Sequence, residues 1–360
     1  MLVHICCSVD SHFFLEKLQI DYPDEKLTGF FYDPNIHPYS EYQLRFLDVE
    51  RSCKKLGIDL LEGEYDFENW MEAVKGLEKE PEKGQRCAVC FDKRFEVSAN
   101  KALELGEDKF TTTLLVSPLK SQEQLKISGD IFHKKHGVEF IAVDYRSNGG
   151  TQDQSRVTKE EQLYRQDYCG CLFGLSMQRD QQSRLMDEMF SPISNQILPA
   201  SIEERLEMYK YRMELEDKNI KYRIIKEKFL NYRQFNFKLI KGKKEIIPAY
   251  ALSYSTLPRK KAQGRIEFTH QNIHYFNREE IKFITLDEFN LRCRREYKTI
   301  EELIFKPLSF NQELKLRDSI RSNFYDLSTI IVVKEIPDSK LTIELNAKSY
   351  EDTKEKLIII

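Results

Sequence analysis

The chain has 360 residues, of which 41% are hydrophobic and 32% are charged, so its composition excludes a disordered or fibrous protein. Its length allows two domains, each with a hydrophobic core. The sequence has no apolar run near the roughly 18 residues of a membrane span, and it begins without the basic and apolar segments of a signal peptide. We therefore expect a cytoplasmic protein that does not contact the membrane.

Taken in chain order, the first half alternates short apolar strands with amphipathic helices. The strands are predicted at residues 2–6, 27–32, 58–61, 109–113 and 138–143, and the helices at residues 11–20, 39–56, 67–75, from after Cys90 to about 105, and at 121–136. This alternation predicts an α/β domain with a parallel, Rossmann-like sheet. Ligands of such sheets bind beyond the carboxyl ends of the strands, and Cys6 and Cys7 follow the first strand there.

The pattern changes after Met189, so we predict one domain over residues 1–190 and another over residues 200–360, joined by a linker at 191–199 that contains prolines. In the second domain, helices are predicted at residues 202–218 and 312–325, and strands within 222–254 and at 329–336 and 340–345. A hairpin turn is predicted at residues 241–244. These elements predict an α+β accessory domain.

The net charge of −3 is distributed unevenly along the chain. Residues 1–190 contain 24 Lys and Arg against 34 Asp and Glu, whereas residues 201–265 contain 17 Lys and Arg against 8 Asp and Glu. The basic segment therefore favours an anionic partner such as nucleic acid. A lysine-rich surface without a partner explains the same composition equally well.

Six of the eight cysteines form three close pairs, whereas Cys53 and Cys293 stand alone and are interpreted as ordinary thiols. The pairs are Cys6 with Cys7, Cys87 with Cys90, and Cys169 with Cys171. In a reducing compartment, clustered thiols indicate metal binding or catalysis rather than structural disulfides.

Iron–sulfur clusters and zinc both prefer thiolate ligands, so both remain alternatives. A four-cysteine structural zinc site is the simpler interpretation. Against it, adjacent cysteines in a strand point in opposite directions, and six thiols exceed what one zinc ion needs. We therefore favour an iron–sulfur cluster, while Cys169 and Cys171 could instead be a redox dithiol.

Six motifs make the first 180 residues similar to the QueH family of epoxyqueuosine reductases. They are HICCSVD from His4, GFFYDPNIHP from Gly29, GEYD from Gly63, RCAVC from Arg86, TTTLLVSP from Thr111 and YRQDYCGC from Tyr164. The resemblance implies a [4Fe–4S] oxidoreductase that reduces epoxyqueuosine to queuosine at the wobble position of tRNA, the last step of tRNA queuosine biosynthesis. It says nothing about the chain beyond Met189.

The resemblance also implies roles for individual residues. Cys6, Cys7, Cys87 and Cys90 are expected to ligate the cluster. Cys169 and Cys171 would be a redox-active pair or ligands of an additional iron, and the sequence does not choose between these roles. Asp10 would be an oxygen ligand of that iron. Asp167 is a candidate general acid, as are Tyr168 and Tyr32.

The implied fold resembles the nucleotide α-hydrolase-like domains of tRNA-modifying enzymes, which hold pyrophosphate on a glycine-rich SGGxDS loop after the first strand. Here the loop runs from Cys6 to Ser11 as CCSVDS, without glycine, so the backbone amides cannot surround a phosphate closely. We therefore expect no ATP. We also expect no cobalamin, and an external electron donor of the ferredoxin or flavodoxin type. The alternatives are a tRNA sulfur-transfer enzyme with zinc or a cluster, and a non-catalytic RNA-binding module.

Overall fold

The computed structural model describes residues 1–117, 120–190, 196–242, 244–277, 281–321 and 326–360. Several predicted features fall partly outside these residues: the end of the TTTLLVSP motif, most of the linker at 191–199, one residue of the turn at 241–244, and the end of the helix at 312–325. The described residues form two compact units: Met1–Met189, Arg205–Ile224 and Leu357–Ile360 make up the first, and Phe190–Glu204 and Ile225–Lys356 the second. The predicted domain ranges, 1–190 and 200–360, stay a prediction.

The first unit contains a parallel five-stranded sheet in the order β3-β2-β1-β4-β5. Its strands are β1 (Leu2–Ile5), β2 (Thr28–Phe31), β3 (Asp59–Glu62), β4 (Lys109–Thr112) and β5 (Glu139–Phe140). All four residues of β1 are buried, as expected of a central strand with both faces covered. The predicted α/β fold with a parallel sheet is confirmed.

The helices between and after these strands are α1 (Ser8–Asp21), α2 (Tyr39–Leu56), α3 (Phe67–Ala73), α4 (Gln85–Glu104), α5 (Gln122–His136), α6 (Gly150–Glu160), α7 (Leu172–Gln181) and α8 (Ile202–Asp217). The last of these crosses from the second unit into the first. Helices α6 and α7 were not predicted. Aromatic and aliphatic side chains of α1, α2 and α4 pack with the buried strands into one core, because their apolar residues recur at helical spacing.

The predicted start of the fourth helix, after Cys90, is wrong. Helix α4 begins at Gln85, directly after Gly84, so Cys87 and Cys90 lie in its first two turns. A separation of three residues places both thiols on neighbouring positions of one helix face. The sequence prediction failed because the pair was interpreted as part of the preceding loop.

Residues 222–359, most of which belong to the second unit, contain two sheets, which confirms the α+β fold of the C-terminal part. One is five-stranded in the order β10-β11-β12-β13-β8 and the other four-stranded in the order β7-β6-β14-β9. The strands are β6 (Tyr222–Lys241), β7 (Glu245–Ile247), β8 (Ala249–Ala251), β9 (Lys261–Gly264), β10 (Ile266–His270), β11 (Ile273–Phe276), β12 (Ile281–Thr285), β13 (Ile330–Val333) and β14 (Leu341–Ile359). The helices are α9 (Leu286–Cys293), α10 (Ile300–Phe305) and α11 (Phe310–Ile320).

Strands β6 and β7 pair antiparallel with Lys241 opposite Glu245, so a hairpin forms at the predicted position. Two clusters of buried aliphatic and aromatic residues form the core of this unit. Strand β14 continues to Ile359, although a strand was predicted over residues 340–345 alone. Among the described residues, no helix is long and apolar enough to cross a membrane.

Candidate metal centre

The centre of the parallel sheet places two chain segments at one edge. Strand β1 lies between β2 and β4, at the point where the chain turns from one side of the sheet to the other. Such a reversal opens a crevice beyond the carboxyl ends of the strands. Cys6 follows β1 and Thr113 follows β4, and the Cys6 Sγ and Thr113 Oγ1 atoms are 3.7 Å apart.

Cys6, Cys7 and Asp10 form a compact group of metal-ligating side chains in this crevice. Their ligand atoms all lie within 4.8 Å of one another. The Cys6 Sγ atom is 3.8 Å from Cys7 Sγ and 3.8 Å from Asp10 Oδ2. All three residues are buried, and Gln154 on α6 donates a 2.8 Å hydrogen bond to Asp10 Oδ1. This geometry suits one metal ion with mixed sulfur and oxygen ligands.

The prediction that Cys6 and Cys7 point in opposite directions is wrong. The alternation holds for residues within a strand, whereas β1 ends at Ile5 and α1 begins at Ser8. Cys7 is itself extended, with φ of −167° and ψ of 160°, yet its Sγ atom lies 3.8 Å from Cys6 Sγ. Hydrogen bonding to Cys6, followed by burial, raises the pKa of the Cys7 thiol well above its ordinary value.

Cys87 and Cys90 approach the same region from α4. The backbone N–H of Lys83 donates a 3.2 Å hydrogen bond to the Cys87 sulfur. Burial raises the pKa of Cys87 and raises that of Cys90 to about 12. Cys90 packs together with Cys171 in one buried cluster, so the second and third cysteine pairs meet although 81 positions separate these two residues in the sequence.

The loop that carries Cys169 is fixed by backbone hydrogen bonds. The buried Arg45 guanidinium donates hydrogen bonds of 3.1 Å to the carbonyls of both Cys169 and Tyr168. Gly170 has φ of +107°, and a Cβ atom there would lie 2.8 Å from Ile36 Cγ1. Only glycine fits this conformation without strain, which explains the central residue of the Cys169-Gly170-Cys171 motif.

Cys169 has a cationic neighbour that the sequence prediction missed. The buried Lys120 Nζ donates a 3.1 Å hydrogen bond to the Cys169 sulfur. Burial alone would raise the pKa of Cys169, but the charge and hydrogen bond of Lys120 outweigh it and lower the pKa below the ordinary value. Lys120 therefore favours the thiolate form of Cys169, the form that binds metals and attacks disulfides.

A second buried cation, Arg94 on α4, lies among the thiols. It forms an ion pair with Asp33, also buried. Burial alone would lower the pKa of Arg94, yet the charges of Asp33, Cys90 and Cys6 raise it. The Arg94 guanidinium therefore interacts electrostatically with Cys6, which follows β1, and with Cys90 on α4.

A cavity of about 430 Å³ lies beside these side chains, and Cys6 and Cys169 are the cysteines that line it. It is lined by Cys6, Asp10, Arg45, Arg94, Leu114, Ser117, Lys120, Arg165, Gln166, Asp167, Tyr168 and Cys169. Four of these residues are cationic, and Arg165 is the exposed one among them. A cavity with this charge favours an anionic group, either a metal–thiolate centre or a phosphate.

The predicted proton donors differ in their availability. Asp167 lines the cavity, but its side chain is 61% exposed and its carboxylate forms a 2.7 Å ion pair with Arg179. The Tyr168 hydroxyl donates a hydrogen bond to the His37 carbonyl, and the Tyr32 hydroxyl donates one to a carboxylate 3.2 Å away. Both hydroxyl protons are therefore engaged in hydrogen bonds within the protein.

Comparisons with known proteins agree with the six motifs. The family model described as "Epoxyqueuosine reductase QueH" matches residues 1–177. A protein of that name from Helicobacter pylori is 38% identical over an aligned length of 370 residues, and the alignment covers 98% of each chain. One from Acinetobacter baylyi is 40% identical over 177 residues, covering 49% of this chain and 80% of that protein. The solved structure of the U34-tRNA thiolase NcsA from Methanococcus maripaludis with its [4Fe–4S] cluster gives a TM-score of 0.33 at 15% identity, covering 59% of this chain and 72% of that one.

Proposed function

Because this chain belongs to the epoxyqueuosine reductase QueH family, we propose that it reduces its substrate with an iron–sulfur cluster held by the paired cysteines. The chain is an oxidoreductase of tRNA queuosine biosynthesis, and its substrate is tRNA that carries epoxyqueuosine. The cluster, its ligands and the electron donor belong to the proposal.

The approach of the three cysteine pairs to one another carries the proposal: Cys6 and Cys169 line one cavity with buried cations, and Cys90 packs with Cys171. Soft thiolates are the ligands that iron–sulfur clusters prefer. Burial contributes to the raised pKa values of Cys7, Cys87, Cys90 and Cys171, so these thiols hold protons that a metal would replace. The buried cations Arg45, Arg94 and Lys120 would offset the negative charge of a thiolate-bound cluster. The donor set therefore fits the group.

We propose Cys6, Cys7, Cys87 and Cys90 as the ligands of a [4Fe–4S] cluster, as the sequence predicts. Cys169 and Cys171 would then be a redox pair or, with Asp10, ligands of an additional iron.

The grouping of side chains supports a second division of the six cysteines between the cluster and the additional iron. Cys6, Cys7 and Asp10 are close enough to share one iron. The cluster would then use Cys87 and Cys90 with Cys169 and Cys171, whose charges interact with the α4 thiols. Cys87 and Cys90 are cluster ligands in both divisions. Serine variants distinguish them: loss of all sulfide from Cys169→Ser, with sulfide retained in Cys6→Ser, would favour the second.

Converting the epoxide to an alkene with loss of water requires two electrons and two protons, and a bound [4Fe–4S] cluster supplies electrons one at a time. The residues of the chain position the substrate and stabilise charge. The exposed Arg165 is suited to contact a phosphate of the tRNA. The buried Arg45, Arg94 and Lys120 favour the negative charge that develops on the epoxide oxygen as its C–O bond breaks. Asp167 remains the proposed proton donor, and its carboxyl would have to leave Arg179 to act.

We further propose that electrons come from an external ferredoxin or flavodoxin type of donor in the cytoplasm, and that neither ATP nor cobalamin is required. The basic segment at residues 201–265 is proposed to contact tRNA through charge complementarity.

The proposal is tested by incubating the anaerobically loaded chain with tRNA containing epoxyqueuosine and a chemical reductant. We expect the nucleoside to lose one oxygen atom by mass spectrometry, and Cys90→Ser to abolish the conversion. Cys53→Ser is the matched control, since Cys53 is a buried thiol that belongs neither to the metal-ligating group nor to the lining of the cavity. Conversion by Cys90→Ser at the wild-type rate would refute the role of the cluster.

A further inference from the structure

Asp10, the oxygen donor among the proposed metal ligands, is held by a buried amide from another helix. Gln154 on α6 is 5% exposed, and its Nε2 atom donates hydrogen bonds to Asp10 Oδ1 at 2.8 Å and to the Val9 carbonyl at 3.3 Å. Both neighbours of this nitrogen are oxygen acceptors, so the orientation of the amide group follows from its partners. One side chain of α6 therefore fixes the first turn of α1 at two points.

The two oxygens of the Asp10 carboxylate face different partners. Oδ1 accepts the hydrogen bond from Gln154, whereas Oδ2 lies 3.8 Å from Cys6 Sγ. The ligand atoms of Cys6, Cys7 and Asp10 lie within 4.8 Å of one another. Because the amide holds one oxygen, rotation of the carboxylate is restricted and the other oxygen stays beside the thiols. Gln154 thus sets the orientation that a shared metal ion requires.

The position of Gln154 is itself fixed by its helix. The Thr158 hydroxyl donates a 2.7 Å hydrogen bond to the Gln154 backbone carbonyl, and both residues lie on the buried face of α6. A contact that joins α6 to α1 for stability alone would need the hydrogen bond to the Val9 carbonyl. The second and shorter hydrogen bond goes to the side chain that faces the thiols. This division favours a role in the metal site.

We propose that Gln154 is a positioning residue, which orients Asp10 as an oxygen ligand of the additional iron. The inference rests on the proposed function, and it holds for both divisions of the cysteines because Asp10 is a ligand of the additional iron in each. Hydrogen bonds to a ligating carboxylate fix its orientation, and the loss of such a partner typically lowers metal affinity about ten- to hundredfold. Gln154 acts through Asp10 and leaves the cluster ligands untouched.

The test measures the binding of the additional iron separately from the cluster. The full-length chain is loaded anaerobically with iron and sulfide and then equilibrated with increasing concentrations of a ferrous-iron chelator. Iron in excess of sulfide reports the additional iron, whereas sulfide reports the cluster. For Gln154→Met, which keeps an unbranched side chain but lacks the N–H groups, we expect the dissociation constant of the excess iron to rise about ten- to hundredfold at unchanged sulfide content.

Two further variants complete the design. Gln154→Ala removes the same donor and leaves room for water beside the Val9 carbonyl, so it serves if the methionine variant does not fold, and it should weaken the excess iron in the same way. Thr158→Val is the matched control, because it removes a buried hydrogen bond from the same helix and keeps the Gln154 amide. Its dissociation constant should stay within about twofold of wild type, although urea unfolding of the metal-free chain should show a lower midpoint.

A wild-type dissociation constant in the Gln154 variants would overturn the inference. An equal rise in Thr158→Val would also overturn it, because the amide would then act through the stability of α6 alone. Loss of sulfide together with the excess iron would overturn it as well, since the amide would support the whole centre rather than Asp10. A wild-type chain with sulfide but without excess iron would refute the inference and leave the cluster intact, whereas a wild-type chain without iron and sulfide would refute the proposed function.

Discussion

Removing Arg45 tests whether a cation of the crevice contributes to the reaction or to stability alone. The guanidinium donates to Glu41 at 2.7 Å and to the carbonyls of Tyr168 and Cys169 at 3.1 Å each. Arg45 and Glu41 are 2% and 1% exposed at their side chains, so both charges are buried. Arg45→Met therefore leaves one carboxylate and two carbonyls without this partner, at the base of the loop that presents Cys169.

The expected loss in the free energy of unfolding follows from these contacts. Removing one partner of a buried ion pair costs about 3–5 kcal/mol in the free energy of unfolding. In the double variant Arg45→Met with Glu41→Gln, the unpaired charge is gone and the amide can still accept the 2.8 Å hydrogen bond from Tyr164. The remaining loss, from the two carbonyls, should be about 1–3 kcal/mol.

The assay measures stability and reaction separately. Urea unfolding of the metal-free chain is followed by the emission of Trp70, which lies in the first unit and is the single tryptophan of the chain. The reduction rate is measured on the loaded chain. We expect the double variant to regain about 2 kcal/mol over Arg45→Met, while the reduction rate stays about tenfold to hundredfold below wild type in both. A double variant with the wild-type reduction rate would refute the reasoning, because Arg45 would then contribute to stability alone.

Three further predictions use other parts of the chain. Gly170→Ala forces a Cβ to within 2.8 Å of Ile36 Cγ1 at positive φ, so we expect the free energy of unfolding in urea to fall by about 1–3 kcal/mol and the iron content to decrease. Wild-type values for both would contradict the loop geometry. Burial raises the pKa of Glu313, so its contribution to stability is full below the ordinary glutamate pKa and is lost as pH rises through the raised value. Glu313→Gln should flatten this part of the plot of unfolding free energy against pH, and an unchanged slope would exclude the Glu313 carboxyl as the source of the pH dependence. Arg259→Glu should weaken tRNA binding about three- to tenfold and reduce the salt dependence of that binding. Lys134→Glu, an exposed control in the first unit, should do neither, and equal effects of the two variants would argue against a role for the basic segment.

The parallel sheet could be predicted because its strands are short apolar runs separated by amphipathic helices. The start of α4 could not, since charged and polar residues around Cys87 resemble a loop in sequence. Strand β14 was predicted to end near residue 345 because its later residues, such as Glu351 and Lys354, are charged and rarely favour strands. Its pairing in the four-stranded sheet, which the sequence does not reveal, extends it to Ile359.

The cysteines of the candidate site could be identified from their pairing, but their cationic surroundings could not. A lone lysine or arginine in a sequence is usually a surface residue. Lys120 and Arg94 are buried because thiols and carboxylates from distant segments, including Cys169 and Asp33, supply the opposite charge. Such compensation depends on tertiary structure, and no local pattern signals it.

The metal content of the chain tests most directly whether the paired cysteines hold an iron–sulfur cluster. The chain would be purified without oxygen, its iron and acid-labile sulfide measured, and its visible absorption recorded before and after dithionite. We predict roughly four irons with matching sulfide per chain and absorption that bleaches on reduction, with iron in excess of sulfide if the additional iron is bound. A colourless chain that contains zinc alone and is unaffected by dithionite would contradict the account.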